Sequence, residues 1–343
     1  MQALVAQPGV DGSTRVADVA EPAGDGVLIR VLEVGVCGTD REISHGLFGV
    51  APDDESELVL GHELLGMVER DGHGHARGDL VTAIVRRSCH HCFACEEGFP
   101  DSCLTGDYSE RGITRLDGFA RELVVEDPTQ LIPVPQSLRR IGVLAEPTSI
   151  CARALRHARA IGDRQPWRLT RALVIGGGAV GMLTAMLLRL DDVEVTVASL
   201  EPGNELAEAI GARYVQTKST PLTELGRFDL VVEAAGDAQL MADSLGLLSR
   251  SGVACLLGID GRKQRVTVDG PTIGVDTILE NRVLFGSVNA SRQDWLAAVD
   301  ALERARSRWE DVLEQFISLR VPLDRFEEAF EHKTGKATLL LAD

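Results

Sequence analysis

The feature that most constrains the fold of this chain is a glycine-rich run at residues 176–181, whose glycines have the spacing G-x-G-x-x-G. An apolar stretch at 172–175 precedes the run and a longer one at 180–190 follows it, which predicts a strand, a turn and a helix. In such a unit the first glycine permits the tight turn and the second lets the backbone approach a pyrophosphate, while the third lets the helix pack closely on the strand. The run therefore predicts a dinucleotide site. Its predicted cofactor contacts are Gly176, Gly178, Ala179, Val180 and Gly181.

The sequence after the glycine run alternates between strand-like and helix-like segments. Further apolar runs lie at 193–198, 228–233, 252–259 and 282–288. Repeated βα units of this size predict an α/β fold with a parallel, doubly wound sheet. The first 150 residues differ, because their short apolar runs are broken by Gly, Asp and Pro, which is typical of an irregular, largely antiparallel β domain.

The end of the second strand of such a sheet distinguishes NAD from NADP. An acidic residue there binds the ribose 2′-hydroxyl, whereas an arginine accommodates a 2′-phosphate. Residues 198–202 contain no arginine, and Glu201 lies a few residues late for the acidic position. Ser199 is compatible with either cofactor. The sequence favours NAD, with Ser199 and Glu201 as candidate contacts.

Four cysteines are concentrated within fifteen residues: Cys89, Cys92, Cys95 and Cys103. Zinc favours tetrahedral thiolate sites, and a closed set of four cysteines is structural because no position stays open for substrate. Three evenly spaced cysteines before the fourth do not suit a redox pair. The cluster predicts a structural zinc ion, with His90 and His91 between the ligands as spectators.

The charge balance excludes one class of function. The chain of 343 residues has 52 acidic residues against 35 Lys and Arg, for a net charge of −17. Nucleic-acid binding is not expected, because phosphate recognition needs a positive surface. A salt-adapted surface and a GC-rich genome both explain the scarcity of lysine. The lysines are Lys218, Lys263, Lys333 and Lys336.

No targeting or membrane segment is expected from the sequence. Residues 1–16 have neither the basic nor the apolar region of a signal peptide, and glycines interrupt the uncharged stretch at 172–188. Seven cysteines, an odd number, do not make a disulfide framework in a chain of this length. We expect a soluble, cytoplasmic protein.

The cysteine lobe ahead of the glycine run resembles the zinc-containing medium-chain alcohol dehydrogenase superfamily. Val-Cys-Gly-Thr-Asp at 36–40, Gly-His-Glu-Leu-Leu-Gly at 61–66 and Gly-Asp-Leu-Val at 78–81 extend this resemblance. Within the superfamily the chain is most similar to the archaeal-type glucose 1-dehydrogenases. That similarity rests on the motifs at 37–42, 58–63, 110–113, 117–119 and 286–289.

The resemblance implies how the domains are arranged. A Rossmann domain at 153–287 would be inserted into a mainly β, GroES-like catalytic domain formed by 1–152 and completed by the C-terminal segment 288–343. The zinc lobe would occupy 86–107. Two zinc ions per chain are implied, one structural and one catalytic, and the resembling enzymes form dimers or tetramers.

The resemblance also implies the catalytic groups. Cys37 and His62 would bind the catalytic zinc, and Glu63 and Glu146 would contribute carboxylates, either directly or through water. Thr39 would hydrogen-bond the substrate and relay its proton. The implied contacts to sugar hydroxyls are Thr39, Glu63, Glu110, Glu146 and Asn289, and Asn289 would also contact the nicotinamide.

The implied reaction is oxidation of an aldose, D-glucose above others, at C1 to the lactone with hydride transfer to NAD(P). Two departures from the family bear on selectivity: Ile150 stands where some members carry an acidic residue, and Ser199 and Leu200 stand where NADP-preferring members carry paired arginines. A polyol, other aldose or secondary-alcohol dehydrogenase remains an alternative. A non-catalytic nucleotide-binding protein is a second class, which predicts loss of Cys37, His62 or the glycine run; all three are present.

Overall fold

In this computed structural model residues 1–342 are described, and the chain folds as two compact units. The first unit comprises Met1–Ser149, Asn289–Glu303 and the chain from Ile317 onward. The second comprises Ile150–Val288 and Arg304–Phe316. The units therefore change at 149/150 and 288/289, a few residues from the domain boundaries expected at 152/153 and 287/288.

Residues 304–316 differ from the expectation that the whole C-terminal segment completes the catalytic domain, because they belong to the second unit. This segment buries Leu313 and Phe316 and contacts the helix Glu205–Ala209 of that unit, and arginine contacts accompany the burial. Arg304 Nη2 lies 3.1 Å from Asp191 Oδ1, and Arg308 Nη2 lies 2.8 Å from Asp192 Oδ1.

The strands, in chain order, are β1 (Gln2–Ala6), β2 (Arg15–Asp18), β3 (Val27–Val36), β4 (Leu58–Val59), β5 (Glu63–Val68), β6 (Leu80–Ala83), β7 (Arg86–Arg87), β8 (Ser109–Arg111), β9 (Arg115–Leu116), β10 (Leu123–Glu126), β11 (Leu131–Val134), β12 (Arg171–Ile175), β13 (Glu194–Ser199), β14 (Arg213–Gln216), β15 (Phe228–Glu233), β16 (Leu248–Leu256), β17 (Val283–Gly286), β18 (Ile317–Pro322) and β19 (Lys336–Leu340). The helices are α1 (Gly38–Ser44), α2 (Phe93–Glu96), α3 (Ala145–Gly162), α4 (Ala179–Leu190), α5 (Glu205–Ala209), α6 (Ala238–Asp243), α7 (Thr277–Leu279), α8 (Arg292–Trp309) and α9 (Phe326–Glu331).

The first unit is built on a mainly antiparallel sheet in the order β11-β6-β5-β3-β19-β18, with β10 also pairing with β3. The same unit contains two smaller sheets, β2-β1-β4 and β7-β8-β9. The strand β3 is mostly buried and pairs with three other strands, so the irregular β domain predicted from the sequence is confirmed. The pairing of β19 with β3 brings the end of the chain back to the residue before Cys37, because Ala337 lies opposite Val36.

The second unit contains an entirely parallel sheet in the order β14-β13-β12-β15-β16-β17. The strand order turns back on either side of β12, as in a doubly wound sheet, so the predicted α/β architecture is confirmed. The central strands are continuously apolar because neighbours cover both faces of a parallel sheet. Leu173, Phe228 and Val231 belong to its buried core.

None of the helices found in residues 1–342 combines the length and apolar composition needed to cross a membrane.

Candidate active site

Cys37 lies where β3 ends and α1 begins. It is the N-cap residue of α1: its Sγ accepts a hydrogen bond from the backbone N–H of Thr39 at 3.2 Å, and its own N–H donates to Asp40 Oδ2 at 2.9 Å. This is a capping box in which sulfur replaces the usual hydroxyl oxygen. The cap fixes the direction in which the thiol leaves the backbone.

His62 is the second donor of the site and is buried beside Cys37. Its Nε2 lies 3.1 Å from Cys37 Sγ, and its Nδ1 lies 3.5 Å from Asp40 Oδ1. Burial lowers the pKa of His62, but the Cys37 sulfur and the Asp40 carboxylate outweigh it, and the pKa lies well above its usual value. The Asp40 carboxylate thus faces one ring nitrogen and the sulfur lies beside the other, an arrangement that resembles the carboxylates beside metal-binding histidines.

Two buried carboxylates lie beside His62. Glu63 begins β5 with 1% of its surface exposed, and its Oε1 accepts a hydrogen bond from Lys336 Nζ at 2.5 Å. Glu146 lies in the first turn of α3, where burial and, secondly, the charge of Glu63 raise its pKa to about 7. Burial lowers the pKa of Lys336, but the charges of Glu63 and Cys37 raise it above its usual value. Lys336 therefore stays charged and holds one of the two carboxylates.

The donor atoms form two overlapping groups, in each of which all ligand atoms lie within 4.8 Å of one another. One group is Cys37, Asp40 and His62, and the other is His62, Glu63 and Glu146. Within the described residues, the buried Oε2 of Glu63 has no hydrogen-bond partner. A sulfur, an imidazole nitrogen and carboxylate oxygens are the donors of catalytic zinc sites. The residues present fit such an ion, and the four predicted ligands fall in these two groups, which share His62.

Sequence reasoning missed two members of this cluster, Asp40 and Lys336. Asp40 carried a usable signal, because an acidic residue at the third position of α1 is where a capping box places one. Lys336 carried almost none, since it lies 273 residues from Glu63 and reaches it only through the pairing of β19 with β3.

The predicted sugar contacts outside the metal cluster are Thr39, Glu110 and Asn289. Thr39 is half-buried in the first turn of α1. Glu110 is buried in β8, and its Oε1 accepts a hydrogen bond from Asn289 Nδ2 at 2.8 Å. The structure thus brings Glu110 and Asn289 into contact, although 179 residues separate them in the chain.

The four cysteines of the lobe bring their Sγ atoms within 4.8 Å of one another. All are free thiols, and Cys92 Sγ lies 4.0 Å from Cys103 Sγ. The backbone N–H of Leu104 donates to Cys92 Sγ and lowers the pKa of that thiol. Four clustered thiols with N–H donors fit the closed thiolate site predicted from their spacing.

The glycine run forms the turn between β12 and α4 in the second unit. Gly176 has a φ of +115°, and a Cβ there would lie 2.9 Å from the backbone of Ala234. A Cβ on Gly181 would collide with the carbonyl oxygen of Gly176. Gly178 is the N-cap residue of α4 and has no side chain to bind the first N–H groups of the helix. Among the described residues other than its two chain neighbours, none has an atom within 4 Å of a Cβ placed there. Ala179 and Val180 begin that helix, whose N-terminus suits an anion.

A cavity of about 1090 Å³ lies at the carboxyl ends of the parallel strands of this unit. Gly176, Ser199 and Glu201 line it, and so do Asp237 and Arg262. Arg262 is held by carboxylates, with its Nη2 2.7 Å from Asp260 Oδ2 and 3.3 Å from Asp237 Oδ2. Doubly wound sheets bind their ligands at this edge. Of the predicted cofactor contacts, Gly176, Ser199 and Glu201 line the cavity. The others are not among its lining residues: Gly178, Ala179, Val180, Gly181 and Asn289.

Known proteins match the chain over nearly its whole length. Residues 23–136 match the family model of the alcohol dehydrogenase GroES-like domain, and residues 139–341 match that of the glucose dehydrogenase C-terminus. Glucose 1-dehydrogenase of Methanocella arvoryzae is 40% identical over 346 residues, which cover 96% of each chain. Glucose 1-dehydrogenase 1 of Caldivirga maquilingensis is 37% identical over 341 residues, covering 96% of this chain and 95% of the relative.

Among solved structures, Haloferax mediterranei glucose dehydrogenase in complex with NADP, Zn and gluconolactone superimposes with a TM-score of 0.91. The two chains are 30% identical, and the match covers 100% of each. The GroES-like first unit, its thiolate and imidazole donors and the parallel sheet of the second unit define a zinc-containing medium-chain dehydrogenase. Within that superfamily the chain belongs to the glucose dehydrogenase family, which confirms the resemblance read from its motifs.

Proposed function

We propose that this protein oxidises an aldose, D-glucose above others, at C1 to the lactone and transfers the hydride to NAD(P). The observation that carries the proposal is the buried cluster of Cys37, His62, Glu63 and Glu146 in a chain so similar to glucose 1-dehydrogenases. The gluconolactone, Zn and NADP in the Haloferax structure support the same product, metal and class of cofactor.

Cys37, His62 and the carboxylates of Glu63 and Glu146 would hold the catalytic zinc, and the four cysteines of the lobe a second, structural zinc. When bound, the catalytic ion stabilises negative charge on the substrate oxygen. Lys336 restrains Oε1 of Glu63, so only Oε2 of that carboxylate stays available to a metal or water. Asp40 keeps the imidazole of His62 oriented toward the sulfur.

Oxidation removes a hydride from C1 and a proton from its hydroxyl, leaving the carbonyl of the lactone and a nicotinamide reduced at C4. We assign Thr39 the hydrogen bond to the reacting hydroxyl and the relay of its proton, because its backbone N–H donates to Cys37 Sγ and the residue is only half-buried. Glu63, Glu110, Glu146 and Asn289 would bind and orient the sugar through its hydroxyl groups. Asn289 would also contact the nicotinamide.

We favour NAD over NADP. Ser199, Leu200 and Glu201 follow one another at the end of β13, and this segment offers a 2′-hydroxyl an acidic partner and a 2′-phosphate no arginine. Arg262 lines the same cavity, but its salt bridges to Asp237 and Asp260 already occupy it. The Haloferax enzyme holds NADP, so this preference separates the two proteins.

We also propose a homo-oligomer, a dimer or tetramer, that forms through the edge of the parallel sheet. The strand β17 ends that sheet on one side. Exposed apolar side chains lie on it and in the segment before it: Ile278, Leu279 and Leu284 are 67%, 67% and 38% exposed. The edge of a sheet presents backbone N–H and C=O groups that can pair with another strand, and together with exposed apolar side chains it forms a surface that a second copy can cover.

Two other functions predict different activities for this protein. A polyol or secondary-alcohol dehydrogenase would use the same metal cluster on a substrate without a C1 hemiacetal. A non-catalytic nucleotide-binding protein would bind the dinucleotide and turn over nothing.

The test assays a panel of aldoses, polyols and secondary alcohols, each with NAD and with NADP. Turnover is measured by the absorbance of the reduced cofactor, and the zinc content of the same protein sample is determined. We expect turnover with D-glucose, higher kcat/KM with NAD, and about two zinc ions per chain. Cys37→Ala should abolish turnover while leaving the fold intact by circular dichroism. Activity on sorbitol without activity on any aldose would refute the glucose assignment, and retained activity in Cys37→Ala would refute the catalytic metal.

A further inference from the structure

Arg86 has no place in the reaction as described, yet it is buried against one of the proposed sugar contacts. It begins β7 and lies opposite Glu110 of the paired strand β8. Its Nε donates a hydrogen bond to Glu110 Oε1 at 2.9 Å, and only 8% of Arg86 and 6% of Glu110 is exposed. A charge-assisted hydrogen bond in such surroundings is strong and directional.

Asn289 donates to the same oxygen of Glu110. Its Nδ2 lies 2.8 Å from Oε1, and its Oδ1 accepts the backbone N–H of Ala290 at 2.9 Å. Its φ of +65° is one that asparagine adopts more readily than most residues. Among the described residues, both hydrogen bonds to this carboxylate reach Oε1 and none reaches Oε2. The carboxylate is thus anchored by one oxygen and presents the other.

Two further contacts hold the guanidinium of Arg86, one of them within the cysteine lobe. Its Nη1 donates to the backbone carbonyl of Asp101 at 3.1 Å, in the turn between Cys95 and Cys103. Its guanidinium lies 3.9 Å from the centroid of the Tyr108 ring. A planar guanidinium held at three places has little freedom to rotate.

We propose that Arg86 is a positioning residue for the sugar. It fixes Oε1 of Glu110 so that Oε2 accepts a hydrogen bond from a substrate hydroxyl, and it makes the orientation of that carboxylate depend on the fold of the cysteine lobe. The proposal rests on the proposed function, since the contact from Glu110 to the sugar belongs to it. Because Arg86 acts on binding of the sugar and not on the reacting atoms, its effect falls on KM for the sugar.

The test is Arg86→Met, alone and combined with Glu110→Gln. We expect Arg86→Met to raise KM for glucose about tenfold, as loss of one hydrogen bond to a charged group does, with kcat and the KM for the dinucleotide within about twofold of wild type. If Arg86 acts through Glu110, adding Glu110→Gln to Arg86→Met will raise KM less than it does in the wild-type background.

Arg87→Met is the matched control. Arg87 is the next residue of the same strand and pairs with Glu126, which keeps Arg111 at 3.0 Å when Arg87 is replaced. We expect it to leave KM for glucose unchanged. Arg86→Lys keeps the charge but cannot reproduce the guanidinium fork, so it should raise KM for glucose above the wild-type value and by less than Arg86→Met. If Arg86→Met does not fold, Arg86→Lys tests the role of Arg86 by itself.

The outcomes separate this inference from the proposed function. An active wild type whose KM for glucose is unchanged in Arg86→Met or Arg86→Lys overturns the role of Arg86 alone. Independent, multiplicative effects of Arg86→Met and Glu110→Gln do the same, because they would show a general structural effect. A wild type that oxidises no sugar overturns the proposed function and this inference with it.

Discussion

The ionisable side chains buried around Cys37 carry an excess of negative charge that a divalent metal would reduce. The acidic members are Cys37, Asp40, Glu63 and Glu146, and the basic members are His62 and Lys336. His62 must be neutral to bind a metal, so the four acidic groups and the Lys336 ammonium sum to −3, and one zinc ion would reduce this to −1. Burying uncompensated charge is expensive, so without a metal the cluster retains protons to reduce its charge.

Glu146 should therefore make the stability of the metal-free protein depend on pH. Its folded pKa of about 7 lies above the ordinary value of 4.5, so the folded state favours the protonated form. The stabilisation is present below about pH 4.5 and is lost as the pH rises through 7. After chelation, the free energy of unfolding of wild type should fall by up to about 3 kcal/mol relative to Glu146→Gln between those limits.

Denaturant unfolding at several pH values measures this difference, and Glu224→Gln, which removes an exposed carboxylate, is the control. Parallel pH profiles for wild type and Glu146→Gln would contradict the prediction.

Individual site residues were predictable where chemistry leaves a local signature. Cys37 and His62 stand in short motifs, and the glycines at 176–181 mark their own turn. Lys336 was not predictable, because its role depends on which strand β19 joins, a choice made by the packing of the whole sheet. Nor did the sequence show that Glu110 meets Asn289, since a hydrogen bond across 179 residues leaves no local pattern.

At the scale of elements, the parallel sheet was the most predictable part of the molecule. The strands β12, β15 and β16 each contain a short apolar run, at 172–175, 230–232 and 253–256, and the repetition of such runs between helical segments indicates a parallel sheet. The edge strand β14 escaped prediction because it is short and carries Arg213 and Gln216 at its ends. Edge strands bury less surface, so their sequences are less constrained.

The cysteine lobe has almost no core of its own. Its helix α2 is four residues long, and its apolar side chains Phe93, Phe99 and Leu104 are 71%, 42% and 70% exposed. A segment that buries so little apolar surface needs a metal or disulfides to stay ordered. We therefore attribute its order to the metal that its four thiols would bind.

Cys103→Ser should accordingly lose about one zinc ion per chain and become sensitive to protease between residues 86 and 107, because three thiols hold zinc more weakly than four. Metal analysis and limited proteolysis with mass spectrometry measure both effects. Cys255→Ala, which alters a buried cysteine of β16, is the control and should keep both metals. Unchanged zinc content in Cys103→Ser would show that the lobe is not a zinc site.

At the scale of the whole molecule, the net charge and the apolar sheet edge act in opposite directions. A charge of −17 makes copies repel one another at low salt, and this repulsion weakens as salt screens it. The proposed association would therefore depend on apolar contact, which the exposed side chains around β17 could supply. The net charge could be counted from the sequence, but the apolar surface could not be predicted, because the exposure of a side chain is known only once the chain has folded.

A double variant, Ile278→Asp with Leu279→Asp, should shift the equilibrium from oligomer to monomer, because it places like charges in the proposed apolar contact. Sedimentation velocity at matched concentration measures the shift. Leu47→Asp changes a side chain of the first unit that is 76% exposed, and we expect it to leave the oligomer intact. A wild type that sediments as a monomer would refute the proposed interface.

The burial of Lys336 also limits where amine-reactive reagents can modify this protein. Once that amine is enclosed beside Glu63, the side-chain amines open to solvent are Lys218 and Lys263 in the second unit and Lys333 in the first. An amine-reactive dye or an activated support would therefore join the folded protein at very few positions, all of them outside the metal cluster. Labelling at Lys336 would then be a chemical signal that the active site has opened.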